Sequence, residues 1–227
     1  MIIVKIASIP DRIKQLEQTI YQFLMQADKI EVYLNNYAAI PQFLIHNKIQ
    51  VFTSAEHGDR GDIGKFFQIE HASGYVLTID DDLIYPDDYV QKITHKIDLY
   101  HRKSFICVHA NRLPQSTLIS YYQDKIGIHF EKGLENDVQV DIPGTGTLGF
   151  HTDLIKLTSD IFIKPNMTDL WLAIYAKNKG IPIICIERTN NWLLQARGQE
   201  FMESIYKSSI IDDSYQTSLV NESFALL

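Results

Sequence analysis

Two hydrophobic periods alternate through the first hundred residues, and that alternation limits the fold more than any other feature of the chain. The run "IIVKIAS" (2–8) is β-rich and stops short of Pro10. "PDRIKQLEQTIYQFLMQ" (10–26) then places Ile13, Leu16, Ile20, Phe23 and Leu24 at helical spacing. "KIEVYLN" (29–35) and "IQVFTS" (49–54) return to a strand pattern, "IGKFFQIEHAS" (63–73) to a helical one, and "YVLTI" (75–79) to a buried strand. Pro86 precedes a further helix over 87–102, with Asp87 and Asp88 suited to its first turn. Strands separated in this way by helices read as a parallel sheet.

The pattern predicts an α/β fold with a Rossmann-like half over about 1–100, built on a central, mostly parallel sheet. A more irregular half follows over about 101–198. There "SFICVHA" (104–110), "TLISYY" (117–122), "DVQVDI" (137–142) and "IPIICIE" (181–187) read as strands. "IPGTGTLGFH" (142–151) reads as a Gly-rich turn, and "DLWLAIYAKNK" (169–179) as a helix closed by Gly180. Residues 199–227 have mixed polarity and no clear period, and read as a tail or a partner-binding segment.

With 227 residues, 45% of them hydrophobic, the chain is long enough to bury a full core. Its net charge of -7, without a Lys/Arg block, argues against a nucleic-acid scaffold. Cys107 and Cys185 sit in apolar runs and read as core thiols of a reducing compartment. The opening "MIIVKIASIPDR" has a strand pattern rather than a cleavable leader, and no apolar run approaches the roughly 20 residues of a membrane span. The expectation is a cytoplasmic protein with no transmembrane segment, peripheral at a membrane if partners hold it there.

The buried run 75–79 ends in three adjacent carboxylates, Asp80, Asp81 and Asp82. Ligands of parallel sheets gather beyond the carboxyl ends of the strands. Three carboxylates so close repel one another, so a cation is the natural relief. Oxygen ligands point to Mn²⁺ or Mg²⁺, completed by water and substrate phosphates. Extended backbone would put Asp80 and Asp82 on one side and Asp81 on the other. Alternatively, the triplet caps the next helix or lies in a solvated turn.

A strand followed by Asp-x-Asp in such a domain resembles the GT-A nucleotide-sugar glycosyltransferases. "SIPDR" (8–12), "DIGKF" (62–66), "VLTIDDDLIYPDDYV" (76–90), "GTGTLGF" (144–150) and "NWL" (191–193) are similar, in order and approximate spacing, to segments of the bacterial capsule enzymes that add N-acetylglucosamine to heparosan. "TDLWLAIYAKNKG" (168–180) and the Asp triplet are more distantly similar to the animal exostosin-like transferases. The resemblance implies one GT-A domain over 1–198, a UDP-sugar donor such as UDP-N-acetylglucosamine, Mn²⁺ or Mg²⁺, and a polysaccharide end as acceptor. It leaves room for a second, partnering transferase.

Carried over by motif position, Asp80 and Asp81 would face the donor's ribose and sugar, and Asp82 with Asp80 would hold the metal. Arg12, Lys65 and Asp62 would hold the uracil, ribose or diphosphate. Arg188 and Arg197, which flank "NWL", would reach the diphosphate from the far side. Asp169 would be the catalytic carboxylate. Gly144, Thr145, Gly146, Thr147 and Trp192 would wall the acceptor or the donor sugar.

Each residue also has a plain structural reading. Arg12 could pair with nearby carboxylates, Lys65 could snorkel on a helix, and Asp169 could complement a helix dipole. Trp192 could fill the core, the glycines could form a hairpin turn, and His151 could finish a strand. Many GT-A enzymes complete the metal shell with a late histidine, yet no histidine follows His151. The competing classes are an inverting GT-A transferase, a sugar-phosphate nucleotidyltransferase and a non-catalytic sugar- or nucleotide-binding module. "ASIPDR" lacks the glycine that a nucleotidyltransferase loop would want after the first strand.

Overall fold

The computed structural model describes residues 1–196 and 212–224. The first half runs β1 (Ile2–Ser8), α1 (Ile13–Leu24), β2 (Lys29–Leu34), β3 (Ile49–Thr53), α2 (Ser54–His57), β4 (Tyr75–Ile79), β5 (Leu83–Ile84) and α3 (Tyr89–Leu99). There follow β6 (Phe105–Cys107), β7 (Ala110–Arg112), α4 (Tyr121–Asp124), β8 (Ile126–Ile128), β9 (Val138–Val140), β10 (Ile142–Pro143) and β11 (Thr147–His151). The last described elements are α5 (Thr168–Lys179), β12 (Ile183–Cys185), β13 (Leu194–Gln195) and α6 (Ser214–Phe224).

One mixed sheet of eight strands, in the order β3-β2-β1-β4-β11-β6-β12-β9, forms the centre. β3, β2, β1 and β4 are mutually parallel, and β6 and β12 run the same way; only β11 and β9 are reversed. The sheet is therefore α/β and mostly parallel, compatible with a Rossmann-like fold. Period-two alternation divides its side chains between two faces. Leu77 and Ile79 of β4 pack with Leu16, Ile20 and Phe23 of α1 and Ile93 and Ile97 of α3. Val76 packs on the opposite face with Phe105, Phe150 and the Leu170, Leu172 and Ala176 face of α5. The second half of the chain thus extends the same sheet rather than forming a separate irregular body. It adds a small sheet, β10-β7-β8, beside it.

Three predicted elements differ. Of the Gly-rich turn expected over 142–151 only 144–146 turns; Thr147–His151 is β11, held between β4 and β6 in the central sheet. "TLISYY" is a loop leading into α4, not a strand. Asp124 Oδ2 accepts from the backbone N–H groups of Ile119 and Ser120, and Ser120 Oγ accepts from Gln123 N–H. That cap outweighs the β propensity of the segment. Residues 63–73 form two 3₁₀ turns, Gly61–Phe66 and Ile69–His71, instead of an α-helix. A Cβ at Gly64 would lie 2.7 Å from the Tyr33 ring, so the segment hugs β2 more closely than an α-helix with side chains would.

Part of the stretch 199–227 is no loose tail. α6 rests on α4 and α5, with Val220 in the second core. Asp213 Oδ2 accepts from Ser120 Oγ and Tyr122 N–H, Thr217 Oγ1 accepts from Tyr121 N–H, and Asn221 exchanges two hydrogen bonds with Leu118. Among the described residues no helix is long and apolar enough to cross a membrane.

Candidate functional site

The sheet's direction decides where the chemistry gathers. Ile6 of β1 and Thr147 of β11 both lie beside Ile79 of β4. The exits of β1 and β4 and the entry to β11 therefore share one edge. β6 exits there too, toward His109, and α5 begins there. A cavity of 460 Å³ opens at this edge, lined by Ser8, Arg12, Asn35, Asp62, Lys65, Asp80, Asp81, Asp82, His109, Thr145 and Asp169, among others.

Extended geometry stops at Ile79, and the three aspartates form a turn pinned from below. Buried Tyr85 accepts the Asp80 N–H at 2.9 Å and donates to the Gly146 carbonyl at 2.6 Å. A Cβ at Gly146 would fall on the Asp80 carboxylate, so glycine there lets β11 approach the turn. Asp81 is 2% exposed, whereas Asp80 and Asp82 are half-buried. Arg12 Nη1 donates to Asp81 Oδ1 at 3.0 Å and Asp82 Oδ2 at 3.1 Å, and Lys65 pairs with Asp80.

Two cations thus face three carboxylates. Desolvation, and next the charge of Asp80, push Asp82 up to about 6. Burial also raises Asp81, against the pull of Arg12. Asp81 Oδ2 and Arg12 Nε are buried without a hydrogen-bond partner. Among the described residues no group of three His, Cys, Asp or Glu side chains forms a ready-made metal cage. What the turn offers is two accessible carboxylates, Asp80 and Asp82, a number that suits an ion completed by phosphate and water.

The opposite wall is the start of α5. Asp62 Oδ2 accepts from Thr168 N–H at 3.2 Å and Thr168 Oγ1 at 2.7 Å, while Oδ1 accepts from Asn166 N–H at 2.5 Å. Thr168 Oγ1 lies 2.9 Å from Thr145 Oγ1. Thr145 donates to Asp169 Oδ1 from both its N–H, at 2.7 Å, and its hydroxyl, at 2.5 Å. Each hydroxyl thus gives its one proton to its own carboxylate, the two threonine oxygens are merely in contact, and the double donation from Thr145 fixes the Asp169 rotamer. Desolvation raises the Asp169 pKa, opposed by Thr145. Its Oδ2 has no hydrogen bond among the described residues and is the oxygen left for a ligand.

The structure brings together Arg12, Asp62, Lys65, Asp80, Asp81, Asp82, Thr145 and Asp169, and leaves other expected residues elsewhere. Arg188 is 3% exposed and donates to the carbonyls of His129, Phe130 and Ile186, so it braces the 129–130 turn rather than facing the cavity. Trp192 stacks on Tyr89 at 5.6 Å and donates to Asp88 Oδ1, which makes it a packing residue over α3. Thr147 is buried in β11, its hydroxyl accepting from the N–H groups of Val108 and His109. Gly144 and Gly146 do not line the cavity; their lack of a side chain lets the backbone pack behind His109 and Asp80 respectively. His151 lies at the far end of β11, beside Tyr75. Arg197 lies outside the described residues.

Other cavity residues carry no motif: Asn35, His109, Asn111, Tyr121, Lys125 and Gln216. His109 had one available signal, its place just after a strand that runs parallel to β4. Lys125 and Gln216 had none, because α4 and α6 reach the cavity only through tertiary packing. No protein-family model matches this chain, and no curated protein matches it.

Proposed function

We propose that the protein is a metal-dependent GT-A glycosyltransferase. It moves an N-acetylhexosamine, N-acetylglucosamine first among the candidates, from a UDP-sugar to the end of a growing bacterial surface polysaccharide. One observation carries this reading: a single cavity at the carboxyl edge of the parallel strands is lined by Asp80, Asp82, Arg12, Lys65 and Asp169. That set supplies cations for a diphosphate, carboxylates for a divalent ion, and a separate carboxylate on the facing wall.

The turn fits Mn²⁺ or Mg²⁺, because its negative charge is short of compensation: burial, and next the charge of Asp80, disfavour ionisation of the half-buried Asp82. They would hold the ion together with water and phosphate oxygens, and it would supply counter-charge to the departing diphosphate. Arg12 and Lys65 already have aspartate partners. A diphosphate arriving alone would have to win them from the aspartates. Ion and nucleotide arriving together exchange partners without leaving like charges crowded, so their uptake is joint.

Asp169 Oδ2 then faces the reacting centre. As the acceptor oxygen bonds to the anomeric carbon, the bond from that carbon to the diphosphate breaks and UDP departs with the electron pair. In a retaining transfer the acceptor's hydroxyl proton would pass to the departing diphosphate oxygen while Asp169 stabilises the oxocarbenium-like state. In an inverting transfer it takes the acceptor's hydroxyl proton, a role favoured by the burial that raises its pKa. Product stereochemistry by NMR separates the two. We place the reaction in the cytoplasm, at the inner face of the membrane; the two buried free thiols, Cys107 and Cys185, support a reducing compartment.

The test is a panel of nucleotide sugars scored for Mn²⁺-dependent UDP release, with and without oligosaccharide acceptors. Release from a UDP-N-acetylhexosamine that rises with acceptor supports the reading. Calorimetry that finds no joint uptake of Mn²⁺ and UDP overturns it.

A further inference from the structure

Asp62 and Lys65 lie three residues apart in the 3₁₀ turn Gly61–Phe66, a spacing that aligns their side chains on one face of the turn. Both line the cavity, yet they hold different elements. Lys65 pairs with Asp80 in the acidic turn. Asp62 accepts from the N–H groups of Asn166 and Thr168 and from the Thr168 hydroxyl. Three of the about four acceptor positions of its carboxylate are therefore taken, by groups at the start of α5. The dipole of that helix favours a negative charge there.

The turn is itself held from two sides. Asn35, just past β2, donates to the Gly61 carbonyl at 2.9 Å and accepts from the Arg60 N–H at 3.0 Å. Phe66 packs against Phe162 with ring centroids 4.2 Å apart. One short, braced segment thus joins the acidic turn to Thr168, the neighbour of Asp169. The two hydrogen bonds from Thr145 that orient Asp169 need the start of α5 to stay in place.

We propose that Asp62 is a positioning residue: through Thr168 it sets where the Asp169 carboxylate stands opposite the acidic turn, and it is not a ligand of the nucleotide. This departs from the donor-binding role that the resemblance of "DIGKF" implies. Its consequence for catalysis rests on the transferase reading above, whereas the tie between Asp62 and the start of α5 does not.

The tie is tested first on the full chain without substrate, by amide hydrogen exchange. In Asp62→Asn one accepting oxygen becomes an NH₂ group facing N–H donors, so the start of α5 loses a partner. Exchange of the Thr145 N–H, which donates to Asp169, should quicken by at least about tenfold, the weight of one orphaned buried donor. Amides of β1 and β2 should keep their protection. Asp62→Glu keeps the charge but changes the reach; it should show a smaller gain and carries the test if thermal melting finds Asp62→Asn unfolded. Unchanged exchange at Thr145 overturns the proposal. Calorimetry then separates positioning from binding: Mn²⁺ and UDP should bind Asp62→Asn no more weakly than wild type, because the charge removed would only have repelled a diphosphate. Weaker binding makes Asp62 a nucleotide ligand and overturns the proposal. Transfer should show kcat lowered by about tenfold or more at unchanged KM for the UDP-sugar; an unaltered kcat also overturns it. If the unaltered protein takes up no Mn²⁺ and UDP, the transferase reading fails while the Thr145 amide still decides the tie.

Discussion

The Tyr85 hydroxyl holds the peptide of Asp80, accepting its N–H at 2.9 Å while donating to the Gly146 carbonyl at 2.6 Å. Through one buried oxygen the acidic turn is tied to the loop that leads into β11. Removing it with Tyr85→Phe leaves a buried N–H and a buried C=O unpaired. At about 1–3 kcal/mol per orphaned group, the destabilisation should reach about 2 kcal/mol or more. Urea unfolding should show a lower midpoint with an unchanged slope. Nucleotide binding in the presence of Mn²⁺ should weaken as well, because Asp80 is no longer held in register. A variant with wild-type stability would show that the hydroxyl is not the tie.

Gly146 leads to a sharper separation of folding from binding. A Cβ there would overlap the Asp80 carboxylate, and the side chain can escape only by rotating away from Lys65. Gly146→Ala should therefore keep the fold, costing about 1 kcal/mol for the disturbed pair and packing. Joint Mn²⁺ and UDP binding should fall by at least about tenfold, since the turn would then present one well-placed carboxylate instead of two. Circular dichroism and calorimetry on the same preparation check both halves. Undiminished binding would remove Asp80 from the ion site.

How far the sequence carried these assignments differs by residue. β1, β2, β3 and β4 were legible because apolar runs of period two or continuous burial alternate with an amphipathic helix, and the aspartates were legible because they follow such a run. Arg12, Lys65 and Asp169 became candidates only through motif resemblance; the residue types alone fit ordinary surface pairs and a helix start equally well. Arg188 and Trp192 stand next to a resembling motif, yet their partners are the carbonyls of His129 and Phe130 and the ring of Tyr89. Those contacts span tens of residues and leave no local pattern. The same holds for Lys125, whose place in the cavity depends on the straps between α4 and α6.

His109 should impose a recognisable pH dependence on stability. Desolvation first, then the nearby His129, lower its pKa from 6.5 to about 4. Above about 6.5 the ring is neutral in both folded and unfolded chains and contributes no slope. Between about 6.5 and 4 the unfolded chain takes up the proton and the folded chain does not, so stability is lost as the pH falls through that window. The separation is worth at most about 3 kcal/mol. The raised pKa values of Asp81, Asp82 and Asp169 act with the opposite sign, so the comparison must be a difference. Subtracting the stability–pH curve of His109→Gln from that of the wild type should reveal a decline confined to this window. A flat difference curve would mean that His109 titrates normally.

Asp169→Asn tests the division of labour across the cavity. The Asn oxygen can still accept both hydrogen bonds from Thr145, which go to Oδ1 alone. The rotamer and the start of α5 should therefore survive, with stability within about 0.5 kcal/mol of wild type. Donor binding should also persist, because the aspartate turn, Arg12 and Lys65 are untouched. What disappears is the negative charge at Oδ2, where the acceptor proton or the oxocarbenium would be met. Transfer to acceptor should fall by about 10²–10⁴-fold at unchanged affinity for UDP and Mn²⁺. Single-turnover transfer and calorimetry read the two quantities independently. Near-normal turnover in this variant would move the catalytic carboxylate elsewhere in the cavity, whereas loss of nucleotide binding would make Asp169 part of the donor site.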